Sequence, residues 1–249
     1  MKTFRIRAVV RKELRDYRRN RFVVTTMAVL PVIFLISPMI TLFRIPASAT
    51  GTVAERAVGA TSLLLLVVPL VVPSVVTAYS VVGERDQGTL EPFLATPVRP
   101  EELLLGKAAA AFVPSVALAY ALYGVVVAAV GLGAAHIVET TLLNTPQVLA
   151  QVLFTPLLAT WAIWVGIAMS VRASDVRVAQ QLATLASLPA LGFVSLISFR
   201  VITPSVPLAV GLALAVLVVD VLAWRIVSRM FDAERLITGA ASRNASARD

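Results

Sequence analysis

Six stretches of the chain run without a charged side chain: Phe22–Phe43, Ala57–Gly83, Ala108–Ala135, Thr140–Val171, Val178–Phe199 and Val201–Val219. They are 22, 27, 28, 32, 22 and 19 residues long. About 20 apolar residues in helical form cross about 30 Å of hydrocarbon. In lipid the backbone must satisfy itself within a helix or a closed barrel, and runs this long without alternation are not barrel strands. The pattern predicts an all-α integral membrane protein of six transmembrane helices, with spans near residues 22–43, 59–83, 106–133, 147–171, 178–199 and 206–226. The third and fourth runs exceed the bilayer, so their helices are expected to tilt or project. The first run follows 21 residues rich in charge and lacks a small-residue cleavage site, so it is expected as a span and not as a signal peptide.

Two flanking segments complete the organisation. Residues 1–21 carry nine Lys and Arg against only Glu13 and Asp16, and Ile6, Val10, Leu14 and Tyr17 recur on one helical face. Such a segment reads as an amphipathic interfacial helix, its apolar face in the lipid and its arginines near anionic head groups. A plain basic anchor is the simpler alternative. Residues 239–249 are small, polar and charged, which predicts a disordered cytoplasmic tail. The membrane domain is thus expected over residues 22–238, with a loop at 84–105 between spans two and three.

Composition agrees with the pattern. Of 249 residues 58% are hydrophobic and 14% charged, with a mean hydropathy of +0.87, whereas a soluble domain carries about 25% charged residues. The absence of cysteine excludes disulfides and thiolate metal sites, and the single His136 has no second His or Cys to share a metal. A formal charge of +8 could suit nucleic acid, but its placement does not. With the N-terminus cytoplasmic, the inward segments hold 19 Lys and Arg and the outward ones only Arg44, Arg56 and Arg200. That asymmetry predicts both termini inside and no nucleic-acid partner.

Within the spans, chemistry is sparse. Asp220 is the one candidate intramembrane polar site. A charge at mid-bilayer costs about 2.5–3.5 kcal/mol on insertion scales, but Asp220 stands about 7.5 Å along a helix from Arg225. It is therefore expected to reach the head groups or pair with Arg225, with a substrate or proton site as the alternative. Pro69, Pro73, Pro114, Pro156 and Pro189 interrupt four spans, and each frees a carbonyl that a neighbour or water must satisfy. Trp161 and Trp164 line a substrate path or simply pack, and Trp224 is expected as an interface anchor.

The loop after span two is the only long break rich in both charge signs. Gly88 permits a turn, Thr89 can cap a short helix, Leu90, Phe93 and Leu94 fall at i, i+3 and i+4, and Pro97 ends it. Rimmed by Glu84, Arg85, Asp86, Glu91 and Arg99, this face either docks in a groove on a partner or tucks against the span ends.

The run Glu84-Arg85-Asp86-Gln87-Gly88-Thr89-Leu90-Glu91, with Leu94, Thr96-Pro97 and Gly106-Lys107, resembles the loop of type-2 ATP-binding-cassette transporter permeases. That family reads roughly E-x-E-x-G-T-L-E-x-L-x-x-x-P with a G-K downstream; Asp86 replaces its second Glu. Asp175-Val176-Arg177-Val178-Ala179-Gln180-Gln181 is similar to the family's D-x-R-x-A-Q-Q segment in the second inward loop, offering Asp175, Arg177, Gln180 and Gln181. The resemblance implies a multi-pass permease of a prokaryotic plasma membrane, part of an ATP-driven exporter. It also implies a second permease copy or homologue and two separate ABC ATPase subunits. Glu84, Asp86, Gly88, Thr89, Leu90, Glu91, Phe93, Leu94 and Pro97 would form the ATPase-coupling element, a coupling helix seated on the ATPase. ATP and Mg would then reside on the partner, with no cofactor held by this chain. In keeping with that, Gly106-Lys107 is followed by Ala108, and Glu101 stands where a phosphate-binding loop needs its first glycine.

Two other classes compete. A secondary transporter working without an ATPase predicts intramembrane carboxylates and related halves, neither of which stands out. An integral-membrane enzyme needs clustered acidic groups or histidines. The acidic residues of the loop, Glu84, Asp86, Glu91, Glu101 and Glu102, are interleaved with Arg85, Arg99 and Lys107, which disfavours a metal there. No residue selects a substrate.

Overall fold

The structure is a computed structural model that describes residues 3–86, 99–173, 175–198 and 205–246. Among the described residues every regular element is a helix: α1 (Thr3–Arg19), α2 (Arg21–Phe43), α3 (Gly51–Asp86), α4 (Pro100–Gly133), α5 (His136–Leu142), α6 (Thr145–Arg172), α7 (Val176–Ser198) and α8 (Val206–Ser246). Six are long and apolar enough to span a membrane: Val23–Phe43, Gly51–Ser80, Glu101–Gly133, Thr145–Val171, Val176–Leu196 and Val206–Met230.

The helix boundaries follow local chemistry. Asn20 separates α1 from α2, its side chain accepting from Val23 N at 3.2 Å as an N-cap. The 32-residue apolar run does not project as one helix. Asn144 takes an extended backbone at the N-cap position of α6, with no hydrogen bond from its side chain, and Pro146 sits in the first turn, so the run divides into α5 and α6. Conversely, α3 reaches Asp86 and α4 begins at Pro100, so helix occupies both edges of the loop predicted at 84–105. At the C-terminal end α8 continues to Ser246, through a segment expected to be disordered. Its alanines are strong helix formers, a preference that its small, polar composition hides.

α3 is the hub. It packs against α2, α4, α5, α6 and α7, and 72% of its apolar window is buried, against 17% for α8. Its closest neighbour is α6, where a Cβ on Gly166 would overlap Thr77 Oγ1 and lie 3.6 Å from Ser74 Cα. Small residues let two helices meet this closely where lipid offers no hydrophobic drive. One proline is accommodated by a neighbouring helix. Pro156 leaves the Val152 carbonyl without its helical donor, and the Tyr120 hydroxyl from α4 donates to it at 2.7 Å.

The basic N-terminal segment is indeed helical, but the stripe expected to face lipid faces protein. Val9 and Tyr17 are buried, and Val10 and Leu14 pack on the same cluster as Leu104, Ala108 and Val227. Arg7, Arg11, Arg15, Arg18 and Arg19 remain exposed on the opposite side. The cause lies in α4: Gly106 opens a notch for Val9, whose Cβ would stand only 2.6 Å from a Cβ placed there.

Candidate functional site

Three elements converge on the last turns of α3, just before the loop that leads to α4. On one side, the Lys107 ammonium of α4 is buried among three acceptors: Glu13 Oε1 at 2.9 Å, Ser80 O at 3.0 Å and Ser80 Oγ at 2.9 Å. Ser80 donates in turn to Glu13 Oε2 at 2.8 Å. An ammonium has three N–H donors, so the node satisfies a charge that would otherwise be too costly to bury. Burial alone would raise the Glu13 carboxyl. The charges of Lys107 and Lys12, with hydrogen bonds from Lys107 and Ser80, outweigh it and hold the group below its ordinary value of 4.5.

The same contact line continues up α1. Arg5 pairs with Glu102 at 3.4 Å, and Glu102 also accepts from the Arg99 backbone N–H at 3.4 Å, closing the first turn of α4. Arg5, Val9 and Glu13 are successive turns of α1, and they meet Glu102, Gly106 and Lys107 in order. The Gly106-Lys107 pair is therefore the seat of α1.

On the other side of α3 stands the start of α7. Asp175 Oδ1 accepts from Arg177 N at 2.7 Å and Val178 N at 2.9 Å, capping the helix. Ala179 is then wedged against Ala78 and Val82 of α3, together with Ala173. Arg177 and Gln181 point outward and Gln180 is half-buried. Segments that are distant in sequence, around Ala78–Val82 and Ala173–Ala179, thus share one foot.

The loop itself is a different matter. Gly88, Thr89, Leu90, Glu91, Phe93, Leu94 and Pro97 lie outside the described residues, as do the side chains of Glu84 and Asp86, whose backbone ends α3. Glu13, Ser80 and the seating role of Lys107 were missed by sequence reasoning. A lone Glu at the fourth turn of an otherwise basic helix is the one signal that pointed there.

Asp220 does not behave as its spacing from Arg225 suggested. It is 3% exposed, and neither carboxylate oxygen has a hydrogen-bond partner among the described residues. Five residues turn a helix by about 500°, which puts the two side chains about 140° apart; Arg225 is exposed on another face. Trp224 is not a free interface anchor either, since its ring meets that of the buried Trp164 at 4.9 Å and 55°.

The family model described as ABC-2 type transporter matches residues 5–219, from the first turns of α1 to the residue before Asp220. The chain belongs to the ABC-2 type transporters. No curated protein matches it. It is a multi-pass membrane permease subunit of a family that transports with the help of ATPase subunits and is generally not catalytic itself. Both motif segments of the permease fall inside the matched range.

Proposed function

We propose that this permease forms the substrate pathway of an ATP-driven exporter as a dimer, with itself or with a homologous permease. Two separate ATPase subunits drive it from the cytoplasmic side. The observation that carries this reading is the convergence of α1, α4 and α7 on the foot of α3, where the loop with the coupling-type motif departs. A push on that loop is delivered to the most buried span in the molecule. ATP and Mg belong to the partner. The only Gly-Lys pair of this chain, Gly106-Lys107, has its lysine committed to Glu13 and Ser80.

The test is Phe93→Asp. An aspartate in the apolar docking face leaves the protein inserted and abolishes co-purification with an ATPase encoded beside it. Undiminished co-purification of the variant would remove the docking claim.

A further inference from the structure

Asp220 is kept in the interior of the bundle with no hydrogen-bond partner among the described residues, and its surroundings supply an occupant's chemistry. Ala111 of α4, Trp164 of α6 and Trp224 of α8 share one buried cluster. One turn farther from the α1 end, each of these helices carries a polar residue: Ser115, Trp161 and Asp220. The Ser115 hydroxyl, the Trp161 indole N–H and both Asp220 oxygens are buried and without a hydrogen-bond partner. Val216, one turn beyond Asp220 on α8, packs in the cluster that holds Trp161. Asp220, one turn from Trp224 and one from Val216 on α8, therefore lies near the level of Trp161.

Orphaned buried polar groups at one level of three packed helices call for a ligand. A cation is the occupant whose charge an ionised Asp220 carboxylate would balance. Its class follows from the rest. A hard metal ion needs about six oxygen ligands, and among the described residues no group of three acidic or histidine side chains could hold one. Trp224 follows Asp220 by one turn of α8, and its ring pairs with that of Trp164; indoles near a carboxylate suit an organic cation, which gains from the ring quadrupole most when desolvated.

We infer that Asp220, with Trp161, Trp164, Trp224 and Ser115, forms an intramembrane site for the cationic head of a lipophilic organic ammonium compound. This names the substrate class of the proposed exporter and rests on that reading for its role in transport, but not for binding.

The experiment uses the full permease with its co-purifying partner in lipid nanodiscs, with empty nanodiscs as the partition control. The probe is phenyltrimethylammonium, and its neutral isostere tert-butylbenzene has carbon in place of the charged nitrogen. Wild type binds the cation at least tenfold more tightly than the isostere and its tryptophan fluorescence responds. Asp220→Asn, which keeps the shape and removes the charge, loses that preference at unchanged thermal stability. Equal binding of the two probes by wild type overturns the inference without reference to any variant. So does an unaltered preference in Asp220→Asn. Co-purification of the ATPase, read on the same samples, reports separately on the proposed function.

Discussion

Glu13 and Lys107 show what a single ion pair does where α1 meets the bundle. Removing one partner strands a buried charge at a cost of about 3–5 kcal/mol, whereas replacing both by apolar groups is often neutral. Protonation is the mildest way to remove one. The folded value of Glu13 lies below 4.5, so its stabilisation is fully present above the ordinary carboxylate range and is lost as pH falls through that lower folded value. A spin label at Arg11→Cys, on the exposed face of α1, should keep constant mobility from pH 7 to about 4.5 and loosen only in stronger acid. Glu13→Gln should abolish the acid step, leaving a mobile label at every pH. An acid step that survives Glu13→Gln would mean that another group seats the helix. Only the presence of a Glu in this basic helix was legible in the sequence. Glu13 reads as one of two acids in a basic segment, and its partner Lys107 is 94 residues away.

Helix ends and helix contacts differ in how far sequence patterns reach them. Six spans follow from apolar length, because lipid leaves the backbone no other solution. Their limits depend on boundary residues such as Asn144, whose extended backbone cuts a charge-free run that hydropathy alone cannot divide. The fate of Pro156 was legible in kind, since a neighbour had to meet the freed carbonyl, but not in identity: Tyr120 is 32 residues from Val152. Gly166 belongs to the same class. In a chain rich in small residues nothing marks it, yet it sets the closest approach of α3 and α6. Gly166→Leu must displace Thr77 and the backbone at Ser74, an overpacking of about 1–3 kcal/mol or more. Thermal unfolding in detergent should show the loss, with Gly166→Ala intermediate. A leucine variant as stable as wild type would mean that the two helices are not held at this distance.

At the scale of the whole molecule, orientation rests on charge and assembly on apolar surface. The helices α2, α4, α7 and α8 turn wide apolar faces outward, with Ile33, Val113, Leu185 and Val218 each more than half exposed. Lipid covers such faces in a single copy, and a second permease would cover part of them; spacing does not say which. Orientation rests on a count: with the N-terminus cytoplasmic, 19 of the 22 Lys and Arg belong to the segments expected to face inward. Positive charge near span ends is retained in the cytoplasm, so Gly88 should face inward and Leu143, between α5 and α6, outward. The chain contains no cysteine, so Gly88→Cys and Leu143→Cys can each be labelled without background. With a membrane-impermeant maleimide on intact cells, Leu143→Cys should react and Gly88→Cys should stay unlabelled until the membrane is opened. The reverse pattern would place the foot of α3 outside the cell, beyond the reach of any cytoplasmic ATPase, and would remove the proposed drive while leaving the six-helix fold untouched.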